Sequence, residues 1–295
     1  MNSGAATDAG LVRRRNEDRY WMDPAEGVFL VVDGLGGHPA GELAAEIAVR
    51  EIRESLGEAK TAGADAEERL RAAILRANNR IFERARQNNE ARGMGCVLTL
   101  ALVEDGEVTI GHVGDARLYL VWRGAMRKLT SDHSPVGEEE DAGELTEEEA
   151  MLHPRRNEVY RDVGSRLRTA DEDGFIEIRK CRFRPDAAIL LCSDGVTDQL
   201  TLARVREIIG RYDGDPERVA REIVEAANEA GGKDNATALF VAGPAFGSSH
   251  ERTRLRLPTT RITGPGRRIA GRLLYLAYGL LIGMLVWAVW RSARG

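Results

Sequence analysis

The sequence predicts an α+β layered domain of about 240 residues, made of antiparallel sheet and long helices that do not alternate strictly. Three observations predict it. Val28-Phe29-Leu30-Val31-Val32 and Ala188–Cys192 are continuous apolar runs, the pattern of strands buried on both faces. Residues 41–56 and 65–87 repeat apolar side chains at helical spacing. The connectors Glu104-Asp105-Gly106 and Gly114-Asp115-Ala116 are short enough to force antiparallel pairing of the strands they join.

Along the chain, Val28–Val32 is the first strand. Leu43, Ala44, Ile47, Ala48, Ile52 and Leu56 then share one helix face, and Leu70, Ala73, Ile74, Ala77, Ile81 and Ala85 share another. Val97–Val103, Glu107–Val113 and Arg117–Trp122 are three strands, each paired with the next. Residues 138–158 are acidic and polar, helical around Leu145–Leu152, and form an excursion rather than core. Ala188–Cys192 is the next buried strand, Val205–Tyr212 and Pro216–Ala230 are helices, and Ala236–Val241 is the last strand. Three cysteines, Cys96, Cys181 and Cys192, are too few and scattered for a disulfide framework or a zinc cluster.

The formal net charge of -5 hides an asymmetry: residues 251–295 carry nine arginines and one acid, leaving the first 250 residues strongly acidic. An acidic body is a poor nucleic-acid binder, because phosphate-backbone affinity comes from Lys and Arg, so no nucleic-acid partner is expected. It suits a protein that collects divalent cations. Residues 243–268 are rich in Gly, Pro, Ser, Thr and Arg and read as a flexible basic linker. Leu273–Trp290 holds no charge, and as a helix would span ~27 Å, close to the ~30 Å of a bilayer core. Tyr275, Tyr278, Trp287 and Trp290 lie toward its ends, and seven arginines precede it against two after it. The expectation is a single-pass membrane helix within 269–295, contacting membrane lipids, with the body on the cytoplasmic side.

Asp33 follows a buried strand and precedes Gly34, Asp194 does the same before Gly195, and Asp234 stands just before the last strand. Singly, each Asp-Gly reads as a turn. Together, with the last strand antiparallel to the other two, they converge at one rim of the sheet. Converged carboxylates repel unless a cation neutralises them, and hard oxygen ligands suit Mg²⁺ or Mn²⁺. The Gly34 carbonyl is free to join them.

Eight segments add to this pattern: TDAGLVRRRNEDRY (7–20), VVDGLGGHPAGELAA (31–45), GMG (93–95), GHVGDARLYL (111–120), LTSDHS (129–134), HPRRNEVYRDVG (153–164), LCSDGVTD (191–198) and KDNATAL (233–239). In order and spacing they resemble the protein phosphatase 2C family of metal-dependent serine/threonine phosphatases, in its compact bacterial form, over about residues 3–242.

The resemblance implies a four-layer α-β-β-α sandwich with two antiparallel sheets, followed here by the transmembrane helix. It implies a phosphatase domain over 1–242 that hydrolyses phosphoserine and phosphothreonine by direct attack of a metal-bridging hydroxide. Asp33 would bridge two Mn²⁺ or Mg²⁺ ions, with Asp194 and Asp234 completing the first and the Gly34 carbonyl serving the second. Glu17 and Asp18 would hold metal-bound waters, and Asp115 with Asp194 a third, weaker ion. Arg13 would grip the substrate phosphate, its neighbours Arg14 and Arg15 being the alternatives, and His38 would act as general acid. His112 and His133 read as structural. The implied partners are phosphorylated proteins made by a serine/threonine kinase, at the cytoplasmic face of the cell membrane. Two competing readings are a catalytically silent scaffold of the same fold, and a hydrolase of a non-protein phosphate ester. The chain departs from the family pattern at Cys96-Val97, where a threonine pair is usual, and at Glu158–Val163 in the flap over 138–164.

Overall fold

The computed structural model describes residues 1–36, 40–61, 63–87, 91–170 and 172–247. Its strands are β1 (Asn2–Asp8), β2 (Arg19–Asp23), β3 (Val28–Leu35), β4 (Gly95–Glu104), β5 (Glu107–Val113), β6 (Arg117–Trp122), β7 (Ala125–Lys128), β8 (Glu177–Arg182), β9 (Ala187–Cys192) and β10 (Ala236–Ala242). The helices are α1 (Ala40–Thr61), α2 (Ala66–Gln87), α3 (Pro135–Asp141), α4 (Glu147–Met151), α5 (Asp194–Thr197), α6 (Leu202–Ile209) and α7 (Pro216–Glu229). One sheet runs β1-β10-β9-β6-β7 and the other β2-β3-β4-β5-β8, with every pairing antiparallel.

Alternation along the strands stacks these elements into layers. Phe29 and Val31 of β3 and Ile110 of β5 meet Leu118, Ile189, Leu191 and Leu239 between the sheets. The intervening residues Leu30 and Val32 turn the other way, onto Ile52, Leu70, Ile74 and Ile81 of α1 and α2. Leu190, Ala238 and Phe240 pack outward on Val205, Ile208, Val219 and Ile223 of α6 and α7. Each central strand is therefore apolar on both faces because it serves two cores, the inter-sheet one and a helical one. The result is the α-β-β-α order. Helix ends follow local chemistry: Asp215 accepts from Arg218 N at the start of α7 with Pro216 at its first turn, and Thr146 with Glu149 forms a capping box on α4.

Two expectations need correction. β4 and β5 are a hairpin, but β5 and β6 are not paired: the chain crosses from one sheet to the other through Gly114-Asp115-Ala116. Sheets stack about 10 Å apart and three extended residues reach about 10 Å, so this connector spans layers as readily as it would turn. For the same reason Asp33 does not share a sheet with Asp194 and Asp234. β10 is antiparallel to β9 as expected, but β3 lies in the other sheet, so the carboxylates meet across two sheets rather than along one rim. β1, β2, β7 and β8 were not legible. All four are edge strands: β2, β7 and β8 carry polar or charged residues, and β1 (NSGAATD) is held by its ladder to β10.

Cys96 and Cys192 are fully buried, and burial pushes the Cys192 thiol up to about 12, so both are inert core residues. Among the described residues no helix is long and apolar enough to cross a membrane. Leu273–Trp290 lies outside those residues, as does the linker beyond 247.

Candidate active site

The aspartates arrive from five stretches of chain. Asp33 sits near the end of β3, Asp115 in the crossover between sheets, Asp194 on the first residue of α5 just after β9, and Asp234 two residues ahead of β10. Asp18 precedes β2 and is 1% exposed, and Glu17 beside it is 7% exposed. His38 lies outside the described residues.

Backbone contacts hold these pieces at close quarters. A Cβ on Gly34 would stand 2.3 Å from Gly41 O, and one on Gly41 would stand 2.0 Å from Glu17 Oε2, so only glycine lets α1 lie against β3 here. Asn235 ties the segment before β2 to β10: its Nδ2 donates to Ala9 O and Arg15 O, and its Oδ1 accepts from Glu17 N at 2.8 Å. Asp18 Oδ2 accepts from Ser193 Oγ and Thr237 Oγ1, both at 2.6 Å. Neither Asn235 nor this hydroxyl pair was singled out from the sequence, although Asn235 stands inside the KDN segment.

Arg13 Nη2 donates to Asp234 Oδ2 at 2.7 Å, whereas Arg15 turns to Glu42 on α1. Of the three consecutive arginines, Arg13 is therefore the one seen on an aspartate of this cluster. Asp234 also accepts from Asn235 N.

The cluster is electrostatically strained. Desolvation, and then Asp18, Asp194, Asp115 and Asp234, push the Asp33 carboxyl well above the usual range. Asp194 is raised for the same reasons, with Asp115, Asp198 and Asp234 as its charged neighbours. Burial lifts Asp18 and Asp115 each to about 7. Asp18 Oδ1 is buried and has no hydrogen-bond partner. A divalent cation answers both defects, since it neutralises the repulsion and takes an orphaned carboxylate side into its hydration shell; the residues fit such an ion. Among the described residues, the only group of three or more His, Cys, Asp or Glu with all ligand atoms within 4.8 Å of one another is His112, His133 and Glu177. The aspartates are more widely spread than that, with Asp234 drawn to Arg13.

These shifts fix a pH dependence. A carboxyl raised in the fold keeps its proton where the unfolded chain has lost it, so the ion-free fold loses stability as pH rises from about 4 through 7. Bound cations must expel those protons. Calorimetry of Mg²⁺ uptake at pH 6.5, in buffers of different ionisation enthalpy, should show net proton release that diminishes as the pH is raised. Identical heats in all buffers at pH 6.5 would contradict the raised carboxyls.

The sequence profile of the family described as Protein phosphatase 2C matches residues 14–226. The chain belongs to the protein phosphatase 2C family. It is a serine/threonine protein phosphatase of the metal-dependent type. Serine/threonine phosphatase stp of Listeria innocua is 35% identical over 246 residues, covering 82% of this chain and 95% of that protein. Protein phosphatase PhpP of Streptococcus pneumoniae is 30% identical over 245 residues, covering 82% of this chain and 97% of that one. Among solved structures, Mycobacterium tuberculosis PstP/Ppp matches with a TM-score of 0.72 at 28% identity, covering 82% of this chain and 98% of that chain. The catalytic domain of PstP in complex with two manganese ions matches with a TM-score of 0.70 at 28% identity, covering 82% and 97%.

In this phosphatase the excursion after β7 packs beside the aspartates. Arg117 of β6 donates to Asp132 and to Glu140 of α3, and Glu147 of α4 accepts from Leu202 N at the start of α6. Together with Asp115, Asp194 and Asp198 these residues enclose a cavity of about 30 Å³, enough for one or two water-sized groups. Asp198 was missed from the sequence. It lies one helical turn beyond Asp194, and Arg156 of the excursion donates to it at 2.6 Å.

Proposed function

We propose that the phosphatase holds two Mn²⁺ or Mg²⁺ ions through Asp33, Asp194, Asp234 and the Gly34 carbonyl, and dephosphorylates serine and threonine residues of proteins from the cytoplasmic face of a membrane. The observation that carries the site is the gathering of mutually repelling aspartates from both sheets around a buried carboxylate oxygen without a donor. Glu17 and Asp18 order water around the site, and Asp115 with Asp194 takes a weaker third ion. The bound ions supply charge neutralisation of the phosphoryl oxygens and acidification of water. Phosphomonoesters are otherwise inert, so positioning and electrostatics have most of the work to do.

Arg13 leaves Asp234 to grip the substrate phosphate with a forked guanidinium, a geometry matched to phosphate oxygens. His38 gives its proton to the departing serine or threonine oxygen. The membrane tether is supported by the uncharged Leu273–Trp290 segment and the arginines ahead of it.

A substrate panel tests the reading. The full chain with Mn²⁺ should hydrolyse phosphothreonine and phosphoserine peptides, leave nucleoside monophosphates nearly untouched, and resist carbonate extraction from membranes. A preference for nucleotides would point to a non-protein phosphate ester. Release of the chain by carbonate would remove the tether.

A further inference from the structure

We propose that His133 is a positioning residue that sets Asp115, and through it the hold on the weaker ion; this rests on the reading of Asp115 given above. The need arises from the crossover. β5 ends at Val113 in one sheet and β6 begins at Arg117 in the other, so residues 114–116 have no ladder to fix them, yet all three are buried. Buried backbone groups must find partners. His133 provides both for Gly114: its Nδ1 accepts from Gly114 N at 3.0 Å, and its own N–H donates to Gly114 O at 2.7 Å. Beyond Asp115, Thr99 Oγ1 donates to Ala116 O. Asp115 is thus clamped on both flanks by side chains from outside the turn.

Gly114 cannot stiffen the turn itself. It has φ +105°, and a Cβ there would lie 2.1 Å from Val97 Cγ1. The register of the carboxylate is left to the imidazole.

An ion held by His112, His133 and Glu177 themselves is the rival use of this cluster, and its hydrogen bonds speak against it. Glu177 already accepts from Ser131 N and from Arg179, and Arg161 approaches His133 Nε2 at 2.9 Å. Two guanidiniums at the ligand atoms repel a dication. A neutral imidazole accepts at only one nitrogen. The Gly114 amide is fixed in buried backbone, while Arg161 is long and partly exposed, so Nδ1 is the acceptor that matters.

Amide replacements separate the two nitrogens, because the Asn oxygen falls near the Nδ1 position and the Gln oxygen near Nε2. Mn²⁺ is titrated calorimetrically into the full chain and its variants, with melting temperatures recorded to confirm folding. His133→Asn and Arg161→Met should keep the weaker uptake step, His133→Gln should weaken it about tenfold or more, and Asp115→Asn should remove it. His133→Gln should add nothing on the Asp115→Asn background. Wild-type uptake by His133→Gln alongside loss in Asp115→Asn would overturn the proposal alone, as would equal weakening by the Asn and Gln variants. A weaker step that survives Asp115→Asn would overturn the reading of Asp115, and this proposal with it.

Discussion

Asp33→Asn is expected to cut phosphopeptide turnover by about three orders of magnitude or more while making the ion-free protein more stable. Loss of a ligand shared between two dications removes several kcal/mol of charge stabilisation, and each 1.36 kcal/mol is about tenfold in rate. The opposite effect on stability follows from the carboxyl's own surroundings. Asp33 is raised by desolvation and by four neighbouring aspartates, so the ion-free fold must keep it protonated where the unfolded chain does not, a cost that an uncharged amide removes. Melting in excess chelator should therefore be higher for the variant than for wild type, with Mn²⁺ raising the wild type and barely moving the variant. A variant that loses activity and also melts lower in chelator would mark Asp33 as a structural residue.

The second large effect lies one residue from a candidate ligand. A Cβ on Gly195 would stand 2.0 Å from Asn235 O and 2.8 Å from Asn235 C, both backbone atoms that cannot swing aside. Gly195→Ala must push the start of α5 away from the start of β10. That separates Asp194 from Asp234 and pulls on the Asn235 contacts to Glu17, Ala9 and Arg15. Overpacking of this kind costs about 1–3 kcal/mol, and the displaced aspartates should also weaken Mn²⁺ uptake. Gly57→Ala is the matched control. Gly57 lies inside α1 with nothing within 4 Å of its added Cβ, so alanine there should stabilise by up to about 1 kcal/mol and leave turnover unchanged. Equal melting temperatures for the two variants would refute the close approach at Gly195.

The elements that could be read from the sequence are those whose burial is one-sided or complete. β3 and β9 announce themselves because they face two cores, and α1, α2 and α7 because one stripe of each meets a sheet. β8, with the sequence EIRKCR, hides because it is an edge strand stabilised by its ladder to β5 rather than by apolar side chains. Partner choice was the harder matter. Nothing local tells whether Gly114-Asp115-Ala116 turns within a sheet or crosses between two, since both fit the same reach. The site shows the same division. Asp33, Asp194 and Asp234 stand out because an acid at the end of an apolar run is costly without a purpose. Asn235, Ser193, Thr237 and Asp198 act by hydrogen bonds or ion pairs to groups remote in sequence, and no spacing rule encodes those partners.

The most direct test is phosphate release from a phosphothreonine peptide by the full chain, first stripped with chelator and then titrated with Mn²⁺. Turnover should be absent in chelator, and should rise with added ion to a plateau as the aspartate sites fill. Turnover that is undiminished after complete chelation would contradict the claim that these aspartates work by holding divalent cations.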